Sequence, residues 1–455
     1  MIRKVLLLAF LFSSALGSAQ NSLHGTIHQL SASKVYLSGV YGERTKVSDS
    51  TISDSLGQLH FILPKGLAPG LYKLVWSKTG FLNLILNHEN VKFETWANSP
   101  QDSLKILLSL ENGILQLFNS IGKISQSKLE LLMPLVDFYP ARNEFYRNAV
   151  TEFETTQKLQ LTLLDSVSDK YPGSYAVRME KVKITPYISA SLSSNDRIEF
   201  LKQHYWDKVD FNDTALLRSP VFADKVISYL ALYQNNRFSQ KQLEAEFIKA
   251  VTVALGAASL NPNVYKFMLD YLVGGFDKYH FDEVITYIAD NFQDPFSCED
   301  AARKSALQKK LDNFKKLSLG KPAPSIEVPD LNGNKVSLLS LKNEFTLLVF
   351  WSSQCPHCTE MMPNLKAWYD KQKPKRLEVV AVSLDTNRNA WASFIKKEKL
   401  NWINVSELKG YSGNAEDEYN VYATPTMYLL DRDKKIIAKP ITWHELEQAL
   451  NQQIK

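Results

Sequence analysis

The sequence contains few cysteines: three in 455 residues, at positions 298, 355 and 358. A closed structural zinc site needs four ligands in a tetrahedral set, so three cysteines would have to recruit scattered histidines to complete one. We therefore expect no bound metal. Cys298 stands apart from the other two, and we interpret it as a bystander rather than as a third redox centre.

The sequence also lacks an excess of charge of one sign. Its 53 lysines and arginines nearly balance its 48 aspartates and glutamates, which leaves a formal net charge of +5. So small an excess is not the electrostatic footprint of a nucleic-acid-binding protein, and local basic clusters are typical of solvated helix faces. We expect no nucleic-acid partner.

Long apolar runs are missing after the first residues. The chain begins with Arg3 and Lys4, continues with an apolar run over 5–12, and reaches the small residues Gly17-Ser18-Ala19. This pattern predicts a secretory signal peptide over 1–19, cleaved after Ala19, because the apolar run is too short to span a bilayer. We expect an exported protein of the periplasm or cell envelope, with no stable membrane insertion after cleavage.

The stretch over 345–358 carries the clearest chemical signal. An apolar run, FTLLVFW, predicts a buried strand, and it is followed by Ser352-Ser353-Gln354 and then by Cys355-Pro356-His357-Cys358. Two residues between cysteines on the first turn of a helix bring both sulfurs within bonding reach, so the pair can cycle between dithiol and disulfide. The spacing predicts a redox-active pair.

The two cysteines are expected to have different roles. Cys355 would lie at the helix N-terminus, where unpaired backbone N–H groups and the helix dipole favour a thiolate, so it is the candidate nucleophile. Cys358, one turn inside the helix, is the candidate resolving thiol that attacks a mixed disulfide. His357 adds a donor beside the Cys355 sulfur, and together with Pro356 and Trp351 it is a candidate modulator of the site.

Two other interpretations of the motif are weaker. A plain structural disulfide usually closes a longer loop than this one. A peroxidase is suggested by Ser352, three residues before Cys355, but peroxiredoxins carry a proline ahead of that hydroxyl residue and this chain has Leu348 there.

Strands and helices alternate beyond the cysteines. The pattern predicts a strand over 377–384, a helix over 390–397, a short strand over 402–405, and a strand that follows Thr424-Pro425. A proline at the head of a central strand is tolerated if the preceding bond is cis, so we predict a cis Thr424–Pro425 bond facing the cysteines. The backbone of Thr424 would then be free to pair with an extended substrate.

Residues 317–455 resemble thioredoxin-fold domains of the TlpA/ResA type, which are exported thiol-disulfide oxidoreductases. The features that carry this resemblance are the entry segment 320–324 (GKPAP), the WSSQCPHC motif, Pro363 and Thr424-Pro425. It implies protein thiol or disulfide substrates, a redox partner that the sequence does not identify, and no cofactor.

This chain departs from its relatives in two ways. Cytoplasmic thioredoxins have a buried aspartate where this chain has Val349, and Asp385, after the next strand, is either a substitute acid or a solvated strand-end residue. The dipeptide Pro356-His357 matches the strongly oxidising DsbA family, which leaves the direction of electron flow open.

The chain changes character twice before the redox domain. Short β-rich stretches with turn signals predict a small antiparallel sandwich or barrel over 20–100, which resembles the amino-terminal β-domain of Bacteroidetes envelope proteins. Helical periodicity predicts an α-helical domain over 101–316, with a capping box at Ser239 and Gln242 and a helix end at Gly256. Aromatic residues along these helices are either core or a peptide-binding face: Tyr229, Tyr233, Tyr265 and Tyr271.

Two function classes therefore remain open. The first is an oxidoreductase in which Cys355 and Cys358 exchange disulfides with protein substrates. The second is an interaction protein whose helical domain binds a partner and whose cysteine pair only senses redox state. An accessible Cys355 of low pKa would favour the first class, whereas a buried pair would favour the second.

Overall fold

The computed structural model describes residues 20–140, 142–297, 305–371 and 376–453. The predicted signal peptide over 1–19 and Cys298 lie outside these described residues. The predicted fold class is confirmed: a β-rich part is followed by helices and then by an α/β thioredoxin fold. No helix in the described part of the chain has the length and apolar character to cross a bilayer.

The chain forms two compact units, which divide within two helices. Among the described residues, one unit contains those of 20–236 and 252–268, and the other contains those of 237–251 and 269–453. The second unit therefore includes residues on both sides of position 316. The domain boundaries proposed from the sequence, at 19, 100 and 316, stay predictions.

The β-rich part of the first unit consists of two four-stranded sheets, ordered β4-β1-β7-β8 and β3-β2-β5-β6. Strands from both sheets contribute to one apolar core, which includes Leu23, Val35, Leu74 and Phe93. Its eight strands are β1 (Ser22–His28), β2 (Lys34–Tyr41), β3 (Arg44–Ile52), β4 (Gln58–Ile62), β5 (Gly70–Val75), β6 (Phe81–Leu86), β7 (Val91–Trp96) and β8 (Lys105–Leu108).

The helical part follows directly. The Ser239–Gln242 capping box is confirmed, because the Ser239 N–H donates to Gln242 Oε1 at 2.9 Å and the Gln242 N–H donates to Ser239 Oγ at 3.4 Å. Its helices are α1 (Leu110–Phe138), α2 (Glu144–Lys170), α3 (Tyr175–Lys183), α4 (Ser194–His204), α5 (Val221–Ala231), α6 (Gln240–Ala258), α7 (Pro262–Lys278), α8 (Asp282–Asn291) and α9 (Ala306–Lys316).

The structure tests two details of the helical prediction. The helix end predicted at Gly256 is wrong, since α6 continues to Ala258. Tyr229 and Tyr233 are buried core residues that hydrogen-bond each other through their hydroxyls at 2.9 Å, so the core interpretation is right for them. Tyr265 and Tyr271 are half-buried.

The redox part of the second unit is built on a five-stranded sheet, ordered β13-β12-β11-β14-β15. Strand β11 is central, parallel to β12 and antiparallel to β14. The elements of this part are β9 (Glu327–Pro329), β10 (Lys335–Ser337), β11 (Phe345–Trp351), α10 (Pro356–Lys371), β12 (Leu377–Ser383), α11 (Arg388–Glu398), β13 (Ile403–Val405), α12 (Asn414–Glu418), β14 (Thr426–Leu430), β15 (Ile436–Ala438) and α13 (Trp443–Gln453).

Burial on both faces explains why β11 is apolar at every position except Thr346, whose hydroxyl accepts a hydrogen bond from Lys434 Nζ at 3.1 Å. Leu347, Val349 and Trp351 pack into the core on the face that also contains residues of α10 and α13. Leu348 and Phe350 pack into the core on the opposite face. A strand that is covered on both faces has no solvent-facing positions, so its sequence does not alternate between apolar and polar residues. Its carboxyl end fixes the position of the loop after Trp351.

Candidate functional site

Strand β11 and helix α10 position the cysteine pair. Trp351, the last residue of β11, is fully buried, and its ring lies 5.2 Å from that of Phe394 between centroids. Pro356 is the first residue of α10, where its missing N–H costs no helical hydrogen bond. Cys355 therefore stands directly before the helix, as the sequence predicted, and Cys358 lies within its first turn.

The two thiols differ in exposure and in hydrogen bonding. Both are free; Cys355 is half-buried, and Cys358 is fully buried. The Cys358 N–H donates to the Cys355 sulfur at 3.4 Å, which is the contact that a helix N-terminus offers to an anion. The Cys355 thiol donates to the carbonyl oxygen of Thr424 at 3.3 Å.

The pKa values of the two thiols move in opposite directions. Partial burial acts to raise the pKa of Cys355, but hydrogen bonds from the Cys358 and Thr424 side chains and from the backbone N–H groups of Cys358 and His357 outweigh it and lower that pKa below 9.0. Burial, followed by the hydrogen bond with Cys355, raises the pKa of Cys358 to about 12. The half-buried sulfur of Cys355 therefore ionises more readily than the buried sulfur of Cys358.

The loop that carries Thr424 faces the cysteine pair. The predicted cis Thr424–Pro425 bond is present, and both residues are half-buried at the head of β14. In this reduced state the Thr424 carbonyl accepts the Cys355 thiol, so one backbone group expected to be free already has a partner. His357 acts on the sulfur through its backbone N–H, whereas its ring is exposed.

Asp385 holds the loop before Cys355 in place through hydrogen bonds. The residue is only 2% exposed, so the interpretation as a solvated strand-end aspartate is wrong. Its carboxylate accepts hydrogen bonds from Ser352 Oγ at 2.9 Å, from the Ser353 N–H at 3.0 Å, and from Ser353 Oγ at 2.9 Å. A fourth hydrogen bond comes from Ser383 Oγ at 2.7 Å.

A groove of about 570 Å³ begins beside the cysteine pair and lies wholly within the second unit. Its lining includes His357, Thr424 and Pro425. It also includes Asp282 and Phe314, which belong to helices α8 and α9. In the part of the chain that the structure describes, no three histidine, cysteine, aspartate or glutamate side chains cluster as a metal site would need.

Known proteins match this chain in two places. The AhpC/TSA family matches residues 319–439, and a domain of unknown function (DUF5106) matches residues 151–283. A thiol-disulfide oxidoreductase ResA from Bacillus cereus is 33% identical over 134 residues, which are 29% of this chain and 75% of that protein. The chain belongs to the ResA-type thiol-disulfide oxidoreductases.

Solved structures of thiol-disulfide oxidoreductase domains are also similar to part of the chain. A domain of a possible thiol-disulfide isomerase from Cytophaga hutchinsonii is 36% identical, and the match covers 30% of this chain and 92% of that one, with a TM-score of 0.28. The C-terminal domain of a putative thiol-disulfide oxidoreductase from Bacteroides thetaiotaomicron is 29% identical, with coverage of 30% and 97% and a TM-score of 0.29.

In this ResA-type oxidoreductase, the candidate residues identified from the sequence lie together where β11 ends and where α10 and β14 begin. Trp351 is the exception, because it packs beneath the site rather than facing solvent. Sequence reasoning missed the groove residues outside the motif, among them Asp282, Phe314, Tyr422 and Lys439. No local signal marks them, since they meet only through tertiary packing.

Proposed function

We propose that this oxidoreductase exchanges disulfides with protein substrates through Cys355 and Cys358. In the reducing direction the Cys355 thiolate attacks a substrate disulfide, a Cys355–substrate bond forms, and the other substrate sulfur leaves as a thiolate that takes up a proton. Cys358 then loses its proton and attacks the Cys355 sulfur. The second substrate thiol is released, and two electrons have passed from the cysteine pair to the substrate.

The observation that carries this proposal is the asymmetry of the two thiols: the Cys358 N–H donates to the half-buried sulfur of Cys355, whereas the Cys358 side chain is fully buried. A depressed pKa supplies the attacking thiolate at Cys355, while a pKa of about 12 keeps Cys358 from reacting with solvent oxidants first. Part of the elevation at Cys358 comes from its hydrogen bond and charge interaction with Cys355. Both are lost when Cys355 is bonded to substrate, so Cys358 becomes easier to deprotonate at the step that needs it.

Thr424 and Pro425 are proposed as the substrate-binding residues beside the sulfur. The Thr424 carbonyl accepts the thiol proton of Cys355 in the reduced state. Ionisation removes that proton and leaves the carbonyl as an open acceptor beside the thiolate. A backbone N–H of an extended substrate could occupy it, which would align the substrate sulfur with Cys355.

We place this activity in the periplasm or cell envelope, with an unidentified redox partner that resets the cysteine pair. The basic and apolar start of the sequence supports export. In an oxidising compartment, a pair that reduces substrates has to be reduced again by a partner. The redox-sensing interaction protein is not favoured, because Cys355 is accessible and its pKa is lowered.

Reduction of insulin disulfides by the full chain tests the proposal. The wild type should accelerate the reaction with a thiol reductant present, and Cys355→Ser should abolish the acceleration. An equilibrium with glutathione, followed by the fraction of oxidised cysteine pair, decides between reductase and oxidant. If the wild type does not catalyse insulin reduction, the redox-sensing interaction protein becomes the favoured function.

A further inference from the structure

The groove beside the cysteine pair has a second wall that comes from helices ahead of the redox part of the chain. Phe314 on α9 and Asp282 on α8 line it together with Thr424 and Pro425, whose loop contacts the Cys355 sulfur. All of these residues belong to the second compact unit. A substrate segment bonded to Cys355 would therefore extend directly toward α8 and α9.

Polar contacts fix this wall relative to the substrate-binding loop. The Tyr422 hydroxyl, two residues before Thr424, donates to Asp277 Oδ1 at 2.8 Å. Asp277 also pairs with Lys310 at 2.7 Å, so α7, α9 and the loop meet at one carboxylate. Lys439 pairs with Asp282 at the start of α8. The helical wall is thus bonded to the chain just before β14, through Tyr422, and just after β15, through Lys439.

The lining of the groove indicates which substrate side chains it would accept. Two of its charged side chains, Asp282 and Lys439, pair with each other, and Glu360 adds a further carboxylate to the lining. The rest is dominated by apolar and aromatic groups, among them Phe314, Met361, Met427, Tyr428, Ile441 and Trp443. Methionine side chains adapt to irregular partners and make favourable contacts with aromatic rings. Ile441 is 41% exposed without a substrate, so covering it would release water from apolar surface.

We propose that this groove binds the residues next to the reactive cysteine of an extended substrate peptide, and that it selects an aromatic or large aliphatic side chain there. This inference rests on the proposed disulfide exchange and adds its substrate preference. Phe314 is the specificity-determining residue on the helical wall. The helices ahead of the redox part thereby act as part of the substrate site.

Two disulfide peptides that differ only in the residue after the cysteine, Phe or Ser, test the preference. Burying a phenylalanine side chain is worth enough to give the wild-type full chain about a ten-fold higher kcat/KM for the Phe peptide. Phe314→Ala should remove most of that ratio. Ile441→Asp, at a partly exposed position that tolerates a polar residue, should do the same by placing a charge in the groove.

Matched controls separate the groove from general effects. Phe211→Ala removes a phenylalanine that is 4% exposed, comparable to Phe314 at 7%, and that does not line the groove, so it should keep the ratio. No turnover of either peptide by the wild type would defeat the proposed function itself. Turnover with equal kcat/KM for the two peptides, or a preference that survives both Phe314→Ala and Ile441→Asp, would overturn the inference alone.

Discussion

The backbone N–H of Cys358 points at the sulfur of Cys355 across 3.4 Å. This hydrogen bond couples the two cysteines before any disulfide forms, because it stabilises negative charge on the Cys355 sulfur from the first turn of α10. Burial of the Cys358 side chain has the opposite effect on its own sulfur. One helix turn therefore separates an ionisable thiol from a protonated one.

The first prediction concerns alkylation of the reduced full chain by iodoacetamide. Only a thiolate reacts, so the rate at Cys355 should rise with pH with a midpoint below the ordinary value of 9.0. Cys358, with a pKa of about 12, should stay almost unlabelled up to about pH 10. Mass spectrometry of the labelled peptides measures both rates.

The Cys355→Ser variant is the control for that experiment. Its single remaining motif thiol, Cys358, stays buried and should react slowly at every pH in the range. Equal labelling of the two cysteines in the wild type, with both profiles centred near the ordinary thiol pKa, would contradict the assignment of nucleophile and resolving thiol.

The second prediction concerns the buried carboxylate of Asp385. Asp385→Asn replaces an acceptor oxygen by an N–H₂ donor opposite the Ser353 N–H and the serine hydroxyls, so at least one buried group loses its partner. We expect the free energy of unfolding to fall by about 2 kcal/mol, measured by urea denaturation. Insulin reduction should also slow, because the loop before Cys355 is no longer fixed.

Asp433→Asn is the matched control, since Asp433 is exposed. Its effect on the free energy of unfolding should stay within about 0.5 kcal/mol. If Asp385→Asn also changed the free energy of unfolding by no more than about 0.5 kcal/mol, the carboxylate would not be holding the active-site loop in place.

The third prediction concerns the pH dependence of stability through Glu416. Burial, followed by the neighbouring carboxylate of Glu407, raises the pKa of Glu416 from 4.5 to about 7. Because the folded state holds the proton more tightly than the unfolded state, this contribution to stability is complete below about pH 4.5 and is lost as the pH rises to about 7. The protein should melt at a lower temperature at pH 8 than at pH 5 for this reason.

Glu416→Gln imitates the protonated side chain and should flatten that dependence. At about pH 8 it should raise the free energy of unfolding by on the order of 2 kcal/mol, while at about pH 5 it should change little. Glu327→Gln, at an exposed position of β9, is the control and should leave the wild-type dependence intact. A Glu416→Gln protein with the wild-type dependence would show that this carboxyl does not titrate in the fold.

The sequence predicted the site where its determinants are local. A mostly apolar strand followed by Cys355-Pro356-His357-Cys358 is specified by residues close together in the sequence, and β11 and α10 form as predicted. The Ser239–Gln242 capping box could also be predicted from the sequence, because both partners lie within one helical turn. The residue types at these positions specify the structure directly.

The sequence was uninformative where distant segments decide the structure. Strand β3 carries mostly polar, exposed residues, RTKVSDSTI, and no apolar alternation marked it as a strand. Gly256 is an exposed residue inside α6, and the burial of its neighbours Leu255 and Ala258 outweighs the helix cost of glycine, about 1 kcal/mol. Asp385 is buried by serines that come from two different segments, and Phe314 meets the groove only after α9 packs.

The most direct test of the account is the mass of the Cys358→Ser variant after reaction with a disulfide-bonded peptide, analysed without reductant. We predict a single mixed disulfide at Cys355 that accumulates because no resolving thiol remains, and none when the same peptide meets Cys355→Ser. No adduct on the Cys358→Ser protein, or an adduct that forms equally well on Cys355→Ser, would contradict the claim that Cys355 attacks and Cys358 resolves.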